Sequence, residues 1–457
     1  MPKHTIRNFI RHNLPNIEQN ISLTNKPMFD IFYSPNKHGD NMKNSNKVIF
    51  HIDVNSAYLS WEAIERLKSG ETQDLREIPS IVGGDPATRR GIVLSKSHLC
   101  KPYKIQTGES LYTALKKCAN LTIVPARFNL YEKYSDDMMV YLEQFSDRVQ
   151  QYSIDEAFVD YTFMEEHFGP PMEAADKIRI GIQEKFGFTV CIGVSSNKLL
   201  AKMATELRKP NFTNSLFPQE IEKMWALPIE ELFMAGRATA PKLRRIGIHT
   251  IGDLAHYDIR FLTPHFKSFA HVLWQYANGI DSSDVSITHG PAKSIGNSTT
   301  IPVDITTFED ANRILLHLCE SVGTRLRKNN YAASVISVGM RNNSFEYYSR
   351  QKKISIPTDS TSALYRHVVQ IFKEGWRRDP LRQLGVRAEK LSDSSFTQMS
   401  LFDQGDTDKV KKLDRSIDTI RERFGDNAIM RATFLSQEKK KDHSLYKFSP
   451  FRSTGTL

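Results

Sequence analysis

Three carboxylates in two short stretches are the residues of this chain best suited to chemistry. Asp53 ends an apolar, β-prone run at 48–52, and Asp155 and Glu156 precede a second such run at 157–159. If the two runs are neighbouring strands, the carboxylates meet at one sheet edge and repel one another unless divalent cations hold them together. Two Mg²⁺ ions about 4 Å apart are what an in-line phosphoryl or nucleotidyl displacement requires. The spacing therefore favours a two-metal site, although a lone Asp-Glu pair more often caps a strand or solvates a turn.

The charge balance predicts a polyanionic partner, most simply a nucleic acid. The 457 residues include 62 Lys and Arg against 52 Asp and Glu, a formal net charge of +10. The excess is concentrated in residues 293–391, which contain 16 Lys and Arg and 9 Asp and Glu, or 16 − 9 = +7. Such a local basic block is typical of a surface that follows a nucleic-acid backbone, although surplus Lys and Arg can serve solubility alone.

Cysteine usage and hydropathy predict a protein of the reducing cytoplasm. The cysteines have no C-x-x-C spacing, which argues against a zinc site or a disulfide scaffold. They are Cys100, Cys118, Cys191 and Cys319. No run of about 18 apolar residues is present, and the first residues lack the apolar core of a signal peptide. We therefore expect a cytoplasmic protein with no membrane partner.

The elements that must position the carboxylates can be read from the hydrophobic periodicity. The strand at 48–52 leads through Asp53 to a helix at 57–67, and a strand at 189–194 precedes a helix at 197–207. Strands and helices alternate without a strict βαβ repeat, which favours an α+β sheet domain over a doubly wound one. The first 46 residues are rich in Asn, Lys, Pro and Ser and are expected to be irregular.

The second half of the chain is organised differently. Short helices separated by turn residues fill 221–280, where Gly247 ends one helix before another opens near Thr250. The turn is expected to offer backbone N–H groups and Arg side chains to a phosphate, or else to be an ordinary helical hairpin with a basic face. A polar linker follows, and then strands alternate with amphipathic helices. The expected helices are 307–327, 362–376 and 417–424, followed by a basic tail from residue 438.

A short peptide near the C-terminus predicts docking onto another protein. Leu401 and Phe402 form an exposed apolar pair in polar surroundings. Such a pair is expected to enter an apolar groove, with Gln398 hydrogen-bonding at its rim.

Taken together, these segments resemble the Y-family, lesion-bypass DNA polymerases, most closely the DNA polymerase IV (DinB-like) group of Gram-positive bacteria. The resemblance covers about 48–434, and five motifs carry it in the order typical of the family. They are H-I-D-V-N-S-A-Y at 51–58, S-I-D-E-A at 153–157, G-V-S-S-N-K-L-L-A-K through R-K-P at 193–210, K-S-I-G-N-S at 293–298 and Q-M-S-L-F at 398–402.

The resemblance implies an α+β multidomain fold, a right-hand polymerase with palm, fingers and helical thumb plus a C-terminal α/β little finger that grips the DNA duplex. The implied domains are an N-terminal extension at 1–46, the palm at 47–57 and 121–210, the fingers at 58–120, the thumb at 211–282, a linker at 283–292, the little finger at 293–392 and a C-terminal tail at 393–457.

In this family the matching carboxylates bind metal and catalyse nucleotide addition. The resemblance therefore implies that Asp53, Asp155 and Glu156 hold two Mg²⁺ ions, with Glu156 as the catalytic carboxylate and the backbone carbonyl of Val54 as a further ligand. Tyr58 takes the place of the steric gate that rejects a ribose 2′-hydroxyl.

Residues for the incoming nucleotide depart partly from the family pattern. Ser95, Lys101 and Lys209 are implied contacts of the triphosphate, and His98 stands where many members have Tyr. Lys101 replaces an Arg and lacks its bidentate fork. The first hairpin of the thumb keeps only Gly236 of the usual Gly-x-Gly. Nucleotide affinity and DNA contact are thus the properties expected to differ.

The implied function is template-directed, error-prone addition of deoxynucleotides to a primer 3′ end, in translesion synthesis and DNA repair. The implied partners are primer-template DNA, deoxynucleoside triphosphates and the sliding clamp (β subunit), bound through Gln398, Leu401 and Phe402 by a monomeric polymerase. A catalytically weak accessory protein that docks on the clamp is the alternative, although it would not need the carboxylates or Tyr58. A nucleotide cyclase is a third possibility, because Gly-Gly-Asp at 83–85 resembles a cyclase motif.

Overall fold

The computed structural model describes residues 47–84, 91–287, 290–394 and 407–435. The expected N-terminal extension, the peptide residues Gln398, Leu401 and Phe402, Asp85 and the basic tail lie outside these ranges. Within them the strands are β1 Ile49–Val54, β2 Ser80–Gly83, β3 Val93–Lys96, β4 Thr122–Pro125, β5 Val149–Gln151, β6 Glu156–Asp160, β7 Val190–Ser195, β8 Thr213–Ser215, β9 Ser294–Ile305, β10 Tyr331–Asn342, β11 Tyr347–Thr358 and β12 Leu381–Asp393.

The α-helices of the same ranges divide into those before and after the linker. Before it are α1 Ala57–Lys68, α2 Leu111–Lys117, α3 Phe128–Leu142, α4 Glu165–Phe168, α5 Pro171–Phe186, α6 Lys198–Leu207, α7 Glu222–Trp225, α8 Ala240–Arg245, α9 Ile251–Ala255, α10 Ile259–Phe266 and α11 Phe269–Ala277. After it are α12 Phe308–Lys328, α13 Thr361–Gly375, α14 Thr407–Phe424 and α15 Ala432–Leu435. In the part of the chain so described, no helix is long and apolar enough to cross a membrane.

The first sheet has the strand order β5-β6-β1-β7-β8, and the central strand β1 is buried except at Asp53, which is partly exposed. All its pairs are antiparallel except β7 with β8. Because side chains alternate across a strand, Phe50 and Ile52 face the apolar core shared with α1, α3 and α5. Ile49, His51 and Asp53 point to the opposite face, which α6 covers: Ile49 clusters there with Ala201 of α6. The alternation of β1 thus directs its terminal acid toward α6.

Helix α6 approaches the sheet closely because Gly193 in β7 has no side chain. A Cβ at Gly193 would lie 1.9 Å from the carbonyl oxygen of Ala201 and 2.5 Å from the hydroxyl of Thr205. The helix begins at an Asn197 cap, whose side-chain oxygen accepts the N–H of Leu200 at 2.8 Å. Its other face joins the apolar core of α7 to α11. Helix α6 therefore contacts both the first sheet and the block of helices α7 to α11.

Two further sheets complete the architecture. Strands β3-β2-β4 form a small sheet with α2 and a core of their own. Strands β11-β10-β12-β9 form an antiparallel sheet with one face packed on α12 and α13. Most of the β11 side chains between the buried Tyr348 and Ile354 are exposed, and they include Lys352 and Lys353. This sheet presents the basic surface that the local charge excess predicts.

The segment expected to be a polar linker packs on the first sheet. Val285 is buried in a cluster with Ile49 and Phe158, and the N–H of Ser286 donates to the side chain of Gln150 at 3.2 Å. Two isolated apolar residues, Val285 and Ile287, in a polar stretch are too weak a signal to predict this contact. Helix α14 is also longer than expected: it begins at Thr407, whereas the sequence predicts a helix only at 417–424.

Candidate active site

Asp53 and Glu156 lie opposite each other in the register of the antiparallel strands β1 and β6. The N–H of Val54 donates to the carbonyl oxygen of Asp155 at 3.0 Å, which ties the turn before β6 to the end of β1. The hydroxyl of Ser153 donates to the Asp155 carboxylate at 2.6 Å. The structure therefore brings the three sequence-predicted carboxylates to the same end of two paired strands.

Two lysines hold two of these carboxylates. Lys209 Nζ lies 2.5 Å from Asp53 Oδ2 and 2.6 Å from a Glu206 oxygen. Lys202 Nζ lies 2.6 Å from Glu156 Oε1. Both lysines come from α6 or the residues just after it, so the close approach of α6 to β7 sets their reach. The ammonium groups of Lys209 and Lys202 therefore balance the charge of two carboxylates, as divalent cations would do in a metal site.

Burial and these lysines set the protonation of the site. Burial raises the pKa of Asp53 to about 6, although the charge of Lys209 acts in the opposite direction. Burial alone would lower the pKa of Lys209, but its ion pairs with Asp53 and Glu206 raise that pKa overall. Burial, with the charges of the two lysines, holds the pKa of His51 well below its usual range. At neutral pH the site therefore contains an ionised Asp53, a charged Lys209 and a neutral His51.

The oxygen atoms of the three carboxylates are suitable ligands for hard divalent cations. In this structure, however, Asp53 and Glu156 are paired with lysines. Within the described ranges, no group of three His, Cys, Asp or Glu side chains is placed to hold a metal ion. The groups at the edge are nevertheless carboxylate and backbone oxygens, which Mg²⁺ prefers. Lys209 contacts Oδ2 of Asp53 and Lys202 contacts Oε1 of Glu156, so each lysine uses one of the two oxygens with which its carboxylate could bind a cation. Among the described residues no lysine pairs with the Asp155 carboxylate, which accepts a hydrogen bond from the Ser153 hydroxyl.

Tyr58 is fixed beside the carboxylates by other aromatic rings. It lies in the first turn of α1 and stacks on Tyr131 with centroids 4.6 Å apart and planes inclined by 13°. Phe128 meets it edge-on at 6.1 Å. Burial, and then the nearby charge of Asp155, raise the pKa of Tyr58. The ring is thus half-buried, neutral and held in one orientation close to Asp155.

Lys202 has a larger place in the site than its sequence context suggests. The motif S-S-N-K-L-L-A-K leaves Lys198 and Lys202 as minor or structural candidates. In the structure the Lys202 ammonium lies 5.3 Å from the ring centre of Tyr152 and 5.4 Å from that of Phe233. Phe233 belongs to the helical block after the sheet and stacks on Tyr276 at 5.9 Å. Lys202 therefore links Glu156 to an aromatic group of the following domain.

Comparisons with known proteins show the family to which this chain is related. A family model described as the impB/mucB/samB family matches residues 52–206, and that of the family's C-terminal domain matches 292–401. A DNA polymerase IV of Clostridium acetobutylicum is 46% identical over 396 residues, which are 86% of this chain and 100% of that protein. The DNA polymerase IV 2 of Bacillus subtilis is 36% identical over 399 residues, 85% of this chain and 95% of that one. This chain belongs to the Y-family DNA polymerases.

A solved structure supports the fold of this polymerase. The Y-family DNA polymerase chimera Dbh-Dpo4(243-245)-Dbh superimposes with a TM-score of 0.66 and 24% identity, over 75% of this chain and 99% of that one. The predicted right-hand architecture with a C-terminal sheet domain and the predicted DNA polymerase IV group are confirmed. The matched segment 52–206 contains the carboxylates, Tyr58 and Lys202, and ends just before Lys209.

The three candidate triphosphate contacts around β3 differ in burial. Ser95 is buried in β3, where its hydroxyl accepts the N–H of Leu59 at 3.4 Å and so ties β3 to α1. His98 and Lys101 are exposed in the short 3₁₀ turn that follows β3. The structure thus gives Ser95 a positioning contact, which the sequence did not indicate, and leaves His98 and Lys101 available to an anion.

The helical hairpin of this polymerase offers few backbone groups to a phosphate. Gly247 has φ +85°, the left-handed conformation that favours glycine, and forms the turn after α8. The N–H groups of His249 and Thr250 both donate to Asp253, at 2.9 and 2.8 Å. The N–H of Ile248 donates to the carbonyl of Leu243. These backbone donors are used internally, so they are not available to a phosphate, and the basic groups near the turn are the side chains of Lys242, Arg244 and Arg245 in α8.

Proposed function

We propose that this chain is a template-directed DNA polymerase of translesion synthesis, which adds deoxynucleotides to a primer 3′ end at the edge formed by Asp53, Asp155 and Glu156. The observation that supports the site is the register pairing of Asp53 with Glu156, with Asp155 tied to the same end of β1. Membership of the Y family supports the reaction.

Each residue is assigned a task that its contacts allow. The three carboxylates and the carbonyl of Val54 would hold two Mg²⁺ ions, which when bound activate the primer 3′ oxygen and steady the triphosphate. Lys209, which lies beside Asp53, would neutralise the triphosphate, with Ser95, His98 and Lys101 as further candidates. Tyr58, held by its stacking on Tyr131, would act as the steric gate against a ribose 2′-hydroxyl.

Primer extension tests the assignment. The wild-type chain, with Mg²⁺ and four deoxynucleotides on an undamaged template, should extend the primer, and Asp53→Ala should not. Asp155→Ala should behave in the same way while keeping the duplex affinity and circular-dichroism spectrum of the wild type. Extension by both variants at the wild-type rate would remove these carboxylates from catalysis. Duplex binding without extension by the wild type would instead favour the accessory-protein alternative.

We also propose that Gln398, Leu401 and Phe402 bind the sliding clamp and that the polymerase works as a monomer. The peptide supports the first statement by its pattern alone, since it lies outside the described residues. Replacing Leu401 and Phe402 by Ala should leave extension without the clamp unchanged and remove stimulation by it. Stimulation equal to that of the wild type would discard the peptide, and light scattering would check the monomer.

A further inference from the structure

Helices α1 and α3 meet beside Tyr58 in a cluster of four side chains, which we call the gate cluster. Tyr58 and Glu62 lie one turn apart on α1, and Arg127 and Tyr131 lie one turn apart at the start of α3. Residues at i and i+4 share one face of a helix, so each helix presents one pair to the other. Tyr58 stacks on Tyr131, and Glu62 pairs with Arg127. Tyr58 is thus one member of a larger arrangement.

The carboxylate of Glu62 is fully buried, and both of its oxygens accept hydrogen bonds. Arg127 donates through Nε to both oxygens at 3.0 Å and through Nη2 to Oε2 at 2.6 Å. The Tyr131 hydroxyl donates to Oε1 at 2.7 Å. Arg66 Nε lies 3.8 Å from the same carboxylate. The planar guanidinium of Arg127 fixes the plane of the carboxylate, and with it the position at which the Tyr131 hydroxyl is bound.

Tyr131 is held at both ends of its side chain. Its backbone N–H donates to the carbonyl oxygen of Arg127 at 3.2 Å, and its hydroxyl donates to Glu62. Burial raises the pKa of Tyr131, so the hydroxyl keeps the proton that it donates. Because the ring is rigid, the two attachments together determine the position of its plane. That plane is the surface on which Tyr58 stacks.

The orientation of Tyr58 depends on this surface. The backbone beside it is tied down, since the N–H of Leu59 donates to the Ser95 hydroxyl at 3.4 Å. Among the described residues, however, no hydrogen bond holds the Tyr58 hydroxyl. Its half-buried ring is held by the stack on Tyr131 and by an edge contact with Phe128 at 6.1 Å. A steric gate is selective only if its ring cannot move away from the group that it excludes.

Stability alone does not account for a buried charge at this place. Removing two charges from water commonly offsets their attraction, and apolar residues of similar volume are often as stable or more so. A buried polar network can instead specify one arrangement among several of similar stability. The Glu62–Arg127 pair holds the ring that supports Tyr58, whereas purely apolar packing would let that ring change its tilt.

We propose that Glu62 and Arg127 are positioning residues for sugar selection. Acting through the Tyr131 hydroxyl, they hold the ring that keeps Tyr58 against a ribose 2′-hydroxyl. This inference rests on the proposed role of Tyr58 as the steric gate. Because the two residues act through Tyr131, weakening the gate cluster should change the choice of sugar more than the rate with the correct nucleotide.

The test measures kcat/KM of the full chain for inserting a deoxynucleotide and the matching ribonucleotide opposite the same template base. Tyr131→Phe removes the hydroxyl and keeps the ring, so the ratio of the two kcat/KM values should fall about tenfold. Tyr134→Phe is the matched control. The Tyr134 hydroxyl also donates from α3 to a glutamate of α1, Glu65, at 3.3 Å, but it does not hold the ring under Tyr58. The control should keep the wild-type ratio.

Glu62→Gln tests the carboxylate itself. The amide keeps the shape of the side chain but loses the ionic pair with Arg127, whose side chain is 46% exposed and can turn to solvent. The ratio should fall about as far as in Tyr131→Phe. The double variant should fall no further than the lower single variant, because both substitutions break the same path. Circular-dichroism spectra like that of the wild type would show that the variants are folded.

The outcomes separate this inference from the proposals on which it rests. A wild-type ratio in Tyr131→Phe and Glu62→Gln, with a lowered ratio in Tyr58→Ala, would overturn the inference and leave the gate in place. Equal losses of kcat/KM for both nucleotides in the first two variants would also overturn it, since the gate cluster would then be structural only. An unchanged ratio in Tyr58→Ala would overturn the gate and this inference together, whereas absence of extension by the wild type would overturn the proposed function itself.

Discussion

Replacing Lys209 by Met should move the acidic limb of the pH profile of nucleotide addition to higher pH. Asp53 must be ionised to bind a cation, and burial raises its pKa to about 6 while Lys209 opposes that rise. Removing the ammonium therefore raises the pKa of Asp53 further. Glu206, deprived of its lysine partner, acts in the same direction because its charge also raises the pKa of Asp53. Activity should then begin to fall at a higher pH as the solution is acidified.

The size of the shift follows from the ion pair. Two unit charges about 4 Å apart attract by about 4 kcal/mol at an effective dielectric constant of about 20. The Lys209 side chain is 31% exposed and that of Asp53 is 14% exposed, so solvent screening reduces this to about 1.5–3 kcal/mol, or about 1–2 pKa units. At pH 7 the ionised fraction of Asp53 would fall from about 90% to about 10–50%.

The assay is single-nucleotide insertion, with kcat/KM measured from about pH 5.5 to 9 at subsaturating Mg²⁺. Lys209→Met should shift the acidic limb by about one to two pH units. Lys209→Arg, which keeps the charge, should leave the limb near that of the wild type. A uniform loss of activity in Lys209→Met with an unmoved limb would refute the reasoning, since it would show that Lys209 does not hold Asp53 in its ionised form.

Three other predictions test single positions. Tyr58→Ala should admit ribonucleotides, and unchanged sugar selectivity in insertion assays would exclude Tyr58 as the gate. Asp53→Asn should inactivate the polymerase yet raise its thermal midpoint at pH 7.5: the shift of the Asp53 pKa from 3.8 to about 6 makes ionisation cost about 3 kcal/mol of folding free energy above pH 6, and the gain should shrink toward pH 4. Gly193→Ala should lower the free energy of unfolding by about 1–3 kcal/mol, because its Cβ would overlap the carbonyl oxygen of Ala201. Wild-type stability of this variant in a denaturant titration would contradict the close approach of α6.

Much of the fold could be predicted because local pattern and tertiary position agree. The helix expected at 57–67 is α1, Ala57–Lys68, and the acid at the end of β1 lies opposite Glu156 because both strands alternate in one antiparallel register. Period-two alternation and a single terminal acid are properties of a short stretch of chain. Such local properties do not depend on contacts with distant residues, so they can be predicted from the sequence.

Contacts between distant polar side chains could not be predicted in this way. Lys202 reaches Glu156 across 46 residues, and no periodicity indicates which lysine of α6 will do so. The first half of α14 was missed because its attachment depends on Arg327 and on Asp414 and Asp418, while a sequence pattern assumes that the apolar face is the buried one. The buried contact of Val285 was missed for another reason: only Val285 and Ile287 are apolar in this polar stretch, and two isolated residues give no periodic pattern.

Helix α6 explains why the lysines, and not only the carboxylates, belong to the site. One face of α6 is fixed against β1 and β7, with Ala201 over Gly193, and the other is built into the apolar core of the helices α7 to α11. Lys202 lies 5.4 Å from the ring centre of Phe233, which belongs to that helical block. A displacement of the helical block would therefore shift Lys202 and with it the charge beside Glu156. The helix that joins the first sheet to the helical block thus sets the position of the ammonium group next to this carboxylate.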